Sequence, residues 1–377
     1  MRVLNVNHTL DPVTGGGTAE RTYQMSRFLA RSGVQCTVLT TTAGSAPPRT
    51  VPDADVTIVA VPLISERFFV PRVSRTRLEQ LISAADIVHL MGHWSVLNIL
   101  VYTVARKLKK PYVVCPAGAL PMFGRSQILK RIYNFVAGKA IVRNANACIA
   151  ITENEVKDFA RYGVSADKIR VIPNGISADD FARADVAGFR SKFGLGESRF
   201  ILFMGRLTDI KGPDLLLTAF LEIARMHSDL HLVFAGPDGG MCQTLQRTAH
   251  NAGVADRVHF TGYLGGDDKS SAYRAAMLLA IPSRQEAMSI VVLEAGVTDT
   301  AVLLTNECGF NVASQFGGAV VSATIDGIRQ GLTEMLADQE SLRLRGKLLG
   351  DFVRARFSWT SIVHTYMGLY EQLRATP

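Results

Sequence analysis

Four side chains in the second half of the chain have the types and spacing to hold a phosphorylated, polyhydroxylated ligand. Arg206 and Lys211 lie five residues apart in "FMGRLTDIKG", and Glu286 and Glu294 lie eight apart in "SRQEAMSIVVLEAG". Two cations on one loop can clamp a diphosphate and neutralise charge that develops on a phosphate leaving group. Carboxylates accept hydrogen bonds from vicinal hydroxyls, which sugars and riboses both offer. Each pair read alone also fits a solvated loop and the wet side of an ordinary helix. Their presence in the same half of the chain favours a joint role.

Such groups need elements to position them. "AAMLLAIPS" reads as a strand, "RQEAM" as a loop and "SIVVLEAG" as the first turns of a helix. Glu286 then sits in the loop and Glu294 about two turns into the helix. Eight helical residues span about 12 Å, roughly a nucleotide sugar from ribose to hexose, and Ser289 suits the N-cap. Near the other end, "TGGGTAER" brings Gly16 and Gly17 to the loop between a first strand and its helix. Glycines there let the backbone approach a phosphate, but the pattern is not G-x-G-x-x-G and a plain tight turn fits equally.

The wider pattern is a repeated alternation of short β-branched runs and longer amphipathic segments. "RVLNVN", "CTVLTT", "TIVAVP", "DIVHLMG", "PYVVCP", "ACIAIT" and "IRVIPN" read as strands in the first half. "FILFMG", "LHLVFAG", "RVHFTG", "MLLAIPS", "AVLLTN" and "GAVVSA" do so in the second. Near-continuous apolar strands separated by helices indicate parallel sheets covered on both faces. The fold class is therefore α/β, with two Rossmann-like, doubly wound domains. A linker is expected in "PNGISADDFARADVAG", residues 173–188, giving domains at 1–180 and 181–358. A final helical segment, 359–377, carries Ile362, Tyr366, Leu369 and Tyr370 on one stripe.

A chain of 377 residues with 47% hydrophobic and 20% charged residues suits two soluble domains. No apolar run reaches the length of a membrane span, and "MRVLNVNHTL" reads as a strand, not a signal peptide. Five scattered cysteines without a C-x-x-C pair argue for a reducing cytoplasm and against a zinc site or disulfide framework. The net charge of +8 is uneven. No Asp or Glu occurs from Ile87 to Thr152, where nine cations lie between Arg106 and Arg143. Such a field attracts anionic surfaces, or is a solvated face with no partner. Ile128, Leu129, Ile132, Phe135 and Val136 alternate with these charges at helical spacing, as in a helix resting on a membrane or one packing inward.

"GRLTDIKG" followed by "EAMSIVVLEAG", with "GGGTAER", "DIVHLMGHWS", "RVIPNGIS" and the final "FSWTSIVHTYMGLYEQL", resembles glycosyltransferase family 4. The resemblance covers nearly the whole chain. It implies a GT-B fold with two Rossmann-like domains facing across a cleft, the final helix crossing back to the N-terminal domain. It also implies a retaining enzyme using a nucleotide sugar, with the acceptor held by the N-terminal domain. Arg206 and Lys211 would bind the donor diphosphate in place of a metal, so no metal or other cofactor is expected. Glu286 would contact the hexose and Glu294 the ribose. Backbone amides around Met288, Ser289 and Ile290 would meet the phosphates and sugar, with Gly16 and Gly17 also on the donor side. The family's Glu-Gly-Phe-Gly stands here as Glu286-Ala287-Met288-Ser289, and its His-x-His pair as His89, Met91 and His93. Either histidine can inherit the role beside the transferring sugar. His93 is the candidate for contact with substrate, and a structural role for it stays open.

The expected reaction is transfer of a hexosyl group from a UDP- or GDP-linked sugar to a hydroxyl of a lipid-linked glycan acceptor. The basic stretch 106–143 would hold the enzyme peripherally on the inner, anionic face of the cell membrane. No nucleic-acid partner is expected. The rivals are a sugar-nucleotide epimerase of the same fold and a catalytically silent binding protein. A nicotinamide-dependent dehydrogenase is disfavoured by the missing G-x-G-x-x-G with its acidic partner.

Overall fold

The computed structural model describes residues 1–44, 50–66, 69–122 and 126–375. It divides into two compact units, Met1–Gly175 with Trp359–Pro377, and Ile176–Ser358.

The strands of the first unit are β1 (Arg2–Val6), β2 (Gln35–Thr41), β3 (Val56–Val61), β4 (Leu63–Ser65), β5 (Val70–Pro71), β6 (Ile87–Met91), β7 (Tyr112–Cys115), β8 (Ala147–Ala150) and β9 (Ile169–Val171). All but β4 and β5 form one parallel sheet in the order β3-β2-β1-β6-β7-β8-β9. These seven are the runs expected from sequence. The small antiparallel β4–β5 pair was not among them, because two or three residues carry no periodicity. Helices α1 (Gly16–Arg31), α2 (Arg75–Ala84), α3 (Val96–Lys107), α4 (Gln127–Tyr133), α5 (Lys139–Arg143) and α6 (Val156–Arg161) connect the strands. Ser74 and Ser95 cap α2 and α3 by accepting from the amides of Arg77 and Asn98, which satisfies donors that a helix start leaves orphaned.

The second unit repeats the plan with β10 (Arg199–Met204), β11 (Leu230–Ala235), β12 (Val258–Gly262), β13 (Leu278–Ile281), β14 (Ala301–Thr305) and β15 (Ala319–Val321). They form a parallel sheet in the order β12-β11-β10-β13-β14-β15. Its helices are α7 (Val186–Lys192), α8 (Pro213–Ile223), α9 (Cys242–Asn251), α10 (Gly266–Ala275), α11 (Ile290–Val297), α12 (Ile325–Leu336) and α13 (Gln339–Arg356). β13 and β14 are buried along their whole length, as strands covered by helices on both faces must be. In both sheets the strand order reverses beside the first strand, at β1/β6 and at β10/β13. Crevices at such points, outside the carboxyl ends of the strands, are where doubly wound sheets take ligands.

The terminal helix α14 (Trp359–Ala375) belongs to the first unit. Ile362, Tyr366, Leu369 and Tyr370 are buried, together with Trp359 and Val363. Trp359 stacks on Phe28 of α1 at 6.4 Å, and the Tyr370 hydroxyl lies 2.7 Å from His89 Nδ1 on β6. Arg21, itself buried, donates to the Ile172 carbonyl at 2.9 Å and bonds the Tyr366 hydroxyl and the Asn174 amide oxygen. A Cβ on Gly175 would fall 2.5 Å from the Trp359 ring, so the end of this segment must be a glycine for the indole to seat.

The basic stretch resolves into distinct environments. Lys107 pairs with Glu79 of α2 at 2.9 Å, and Lys110 donates to the Ala85 carbonyl. Arg125 lies outside the described residues. From Gln127 the chain runs through α4, a π-helical turn at Asn134–Gly138 and α5. Ile128, Leu129, Ile132, Phe135 and Val136 do not pack inward: each is more than half exposed, and Phe135 is 91% exposed.

Candidate functional site

The second unit brings Lys211 and Glu286 together. β10 ends at Met204, and the loop beyond it runs beside the loop after β11: Gly205 N–H donates to Ala235 O at 2.8 Å and Leu207 N–H to Pro237 O at 3.0 Å. Arg206 is half-buried in that paired stretch. A short 3-10 turn, Asp209–Lys211, follows, and Gly212 adopts φ +67. A Cβ there would lie 2.1 Å from the Pro282 carbonyl oxygen, so glycine permits the close approach of the two loops. Pro213 then opens α8 at a position where no amide is needed.

The loop after β13 is held against this turn by Arg284. Its amide donates to Ile210 O at 2.8 Å, and its guanidinium forms a fork with Asp214 at 2.9 and 2.6 Å while also reaching the Asp209 carbonyl at 2.6 Å. The carboxyl of Asp214 is raised by partial burial but drawn further down by the Arg284 fork, so its pKa is lowered overall. Lys211 Nζ lies 2.9 Å from Glu286 Oε1, and the Ser283 hydroxyl donates to the same oxygen. A cation suited to a phosphate and a carboxylate suited to sugar hydroxyls thus adjoin each other at the β10/β13 switch point.

The far side of the Glu286 loop is stitched to the segment after β14. Glu286 N–H donates to Glu307 O at 2.8 Å and Ser289 N–H to Cys308 O at 3.1 Å. The Ser289 amide is thus bonded within the protein, and the Ile290 amide is the next along the chain. Ser289 does occupy the N-cap of α11, but its hydroxyl makes no capping bond and is buried without a hydrogen-bond partner. Met288 is buried beneath the loop. Ile290 is the first helical residue, where the amide points out of the helix end and the helix dipole favours negative charge. Glu294 lies in the second turn of α11 and is only 4% exposed. Helix covers only Ile290 onward, so the helical rise from its start to Glu294 is about 6 Å and the rest of the Glu286–Glu294 separation is loop.

Glu294 has partners that the sequence motifs do not include. The Tyr273 hydroxyl donates to Oε2 at 2.6 Å and Lys269 Nζ pairs with Oε1, both from α10. Their only sequence signal is an i, i+4 spacing in "GDDKSSAYRA", which equally describes a solvated helix face. Arg284 and Asp214 were likewise missed, since neither belongs to a motif and their pairing across 70 residues exists only in the fold.

His93, Gly16 and Gly17 belong to the first unit. Gly16 and Gly17 are exposed and form the first turn of α1, not a loop before it. The helix begins early because the loop is closed by a bond from Gly15 N–H to Asp11 O at 2.8 Å, with the Asp11 carboxylate accepting from the amides of Val13 and Thr14. His93 is 2% exposed, ringed by Trp94, Tyr133 and Tyr162, with Nε2 2.9 Å from Asn134 Oδ1. Burial pulls its pKa down to about 4 against the lift from Asn134, and His89 falls to about 3. Both are neutral near pH 7 and packed within their unit. Among the described residues no three His, Cys, Asp or Glu side chains group as metal ligands, and no helix is long and apolar enough to cross a membrane.

Two family models match the chain. "Glycosyl transferase 4-like domain" covers residues 16–175 and "Glycosyl transferases group 1" covers 187–347. Among curated proteins, a D-inositol 3-phosphate glycosyltransferase of Segniliparus rotundus is 30% identical over 238 residues, 61% of this chain and 53% of that one. The corresponding protein of Acidothermus cellulolyticus is 29% identical over 302 residues, 73% and 62% of the two chains. A GDP-mannose-dependent alpha-(1-6)-phosphatidylinositol monomannoside mannosyltransferase of Mycobacterium tuberculosis is 30% identical over 219 residues, 54% and 56%. The chain thus spans between 53% and 62% of the length of these relatives. Among solved structures, sucrose-phosphate synthase from Thermosynechococcus elongatus has a TM-score of 0.80 at 20% identity, covering 100% of both chains. Anabaena HepE in complex with UDP-glucose has a TM-score of 0.81 at 15% identity, covering 99% of this chain and 100% of that one. These share the fold.

Proposed function

Because the chain belongs to glycosyltransferase family 4, we propose that it transfers a hexosyl group from a UDP- or GDP-linked sugar to a hydroxyl of a lipid-linked glycan acceptor, with retention at the anomeric carbon. The observation that carries the reading is the adjacency of Lys211 and Glu286, 2.9 Å apart on loops at the switch point of the second sheet. The relatives' names include a GDP-mannose-dependent enzyme and the structural neighbours include a UDP-glucose complex, which supports a nucleotide-sugar donor and leaves its base open.

In this reading Arg206 and Lys211 stabilise the departing diphosphate, whose charge grows as the glycosidic bond breaks. Glu286 accepts hydroxyls of the hexose and Glu294 those of the ribose. The amide end of α11 at Ile290 adds positive potential, with Met288 and Ser289 supporting the loop from beneath. The leaving phosphate takes the proton from the acceptor hydroxyl, and the two protein cations neutralise the diphosphate without a metal. His93 supports its loop from within an aromatic cage, and the exposed turn at Gly16 and Gly17 is available to a ligand.

We further propose that the enzyme works in the cytoplasm, peripherally on an anionic membrane. The support is the exposed apolar ridge of α4 and the π turn, flanked by Lys130, Arg131, Lys139 and Arg143. A groove of about 740 Å³ beside it is lined by Arg131, Lys139 and Arg143 with Met122 and Phe135.

The deciding experiment is donor turnover over common UDP- and GDP-sugars in the presence of EDTA, with the product anomer read by NMR. Lys211→Ala and Glu294→Ala should each lower transfer at least about tenfold. Near-native rates in both variants defeat the site assignment. Turnover that converts the donor to another nucleotide sugar without an acceptor indicates an epimerase instead.

A further inference from the structure

We infer that Lys269 and Tyr273 are positioning residues that hold the Glu294 carboxylate in the orientation from which it accepts the ribose hydroxyls of the donor. The inference rests on the proposed reading of Glu294 and adds two residues outside every motif.

A carboxylate as buried as Glu294 is costly unless its oxygens are bonded. Here one oxygen accepts from Tyr273 at 2.6 Å and the other pairs with Lys269. Both partners stand on one face of α10, four residues apart, so they act as a single jaw. That jaw is itself fixed. Ser270 donates to Arg183 O, Ser271 accepts from the Asp185 amide at 2.8 Å, and Thr300 donates to Tyr273 O at 3.0 Å. Phe181 packs edge-on to the Tyr273 ring at 6.2 Å and lies 5.7 Å beneath the Lys269 ammonium. Glu294 is anchored in turn through its carbonyl, which accepts from Thr298 at 3.0 Å.

An ionised carboxylate has about four acceptor directions. Tyr273 and Lys269 use one on each oxygen, leaving one on each for a ligand. A ribose presents two adjacent hydroxyls, which match that remainder. Lys269 is 26% exposed at its side chain while Glu294 is 5% exposed, so the jaw opens to solvent on the lysine side. The competing account is that the cluster only knits α10 to α11 and neutralises a buried charge. A purely structural role changes affinity for all nucleotides alike. A positioning role changes the preference for ribose over 2′-deoxyribose.

The test is calorimetric titration of the full chain with UDP, GDP and their 2′-deoxy counterparts. The native protein should prefer the ribose form of the nucleotide it binds by about tenfold, the worth of one charge-assisted hydrogen bond. Glu294→Gln, Lys269→Met and Tyr273→Phe should each bring that ratio to within about threefold, whereas Lys269→Arg should keep it near tenfold. If Glu294→Gln leaves the ratio intact, the ribose reading of Glu294 fails. If Glu294→Gln abolishes the ratio while Lys269→Met and Tyr273→Phe preserve it, the positioning inference alone is overturned. Tyr273→Phe keeps the buried ring, so the ratio remains measurable should Lys269→Met fold poorly. Absence of binding by either ribonucleotide to the native protein defeats both readings.

Discussion

Lys211 and Glu286 form an ion pair across 2.9 Å, yet each is proposed to serve a different part of the donor. On that proposal donor binding exchanges partners, the diphosphate taking the ammonium and the hexose the carboxylate. Glu286→Gln removes the competitor for Lys211, so the free nucleoside diphosphate should bind roughly threefold more tightly, as expected for a partly exposed pair. Transfer should fall at least about tenfold, because a neutral amide is a weaker acceptor for the sugar. Equal diphosphate affinity in the two proteins, measured by titration, would contradict the exchange. The four charged residues were legible because they stand within or just beyond largely apolar strand-loop-helix runs, Arg206, Lys211 and Glu286 in the loops and Glu294 in a buried helix, where charge is unexpected. Lys269, Tyr273, Arg284 and Asp214 were not, because they act through another residue, and that dependence is written in space. The bonded Ser289 amide shows the same limit: a sequence names the loop, and only the fold says which donors are already used.

At the scale of elements, strands were readable because burial on both faces demands unbroken runs of apolar residues, as in β6 and β13. The helix start at Gly16 was not, since glycines there signal a turn as well as a first helical turn. Along α4 and α5 the period of the apolar residues was visible, but whether their face met a neighbour depended on tertiary packing. The exposed outcome makes a prediction. Each bulky side chain transferred from water into lipid contributes about 1.5–3 kcal/mol, and nearby cations add attraction to anionic headgroups. The native protein should float with vesicles containing an anionic phospholipid. Ile132→Asp with Phe135→Asp should leave it at the bottom of the gradient. Arg131→Gln with Lys139→Gln should remove the preference for anionic over zwitterionic vesicles. Equal flotation of the native protein on both vesicle types would refute the electrostatic part.

For the molecule as a whole, pH reports on the interior of the first unit. His89 and His93 have folded pKa values of about 3 and about 4, both set chiefly by burial. Unfolded histidines bind a proton near pH 6.5. Below that the unfolded chain binds more protons than the folded one, so stability is complete above pH 6.5 and declines as pH falls toward 4. At pH 5 the loss is roughly 2 kcal/mol per histidine. His8, His231 and His259 are lowered by burial as well and act in the same direction, while the buried Glu155 carboxyl, raised by desolvation, acts against them. The urea midpoint should therefore be lower at pH 5 than at pH 7, and an unchanged midpoint would refute the assignment of neutral buried histidines. The last feature to weigh is α14, which completes the first unit although the whole second unit precedes it in the chain. During synthesis Arg21, His89 and Phe28 must wait for Tyr366, Tyr370 and Trp359 to emerge from the ribosome, a delay of roughly 15 to 70 s at ordinary elongation rates. The second unit is continuous and can mature while the first stays unfinished. Chaperones would then meet this protein at its N-terminal half, and a nascent chain arrested before Trp359 would be the form they hold longest.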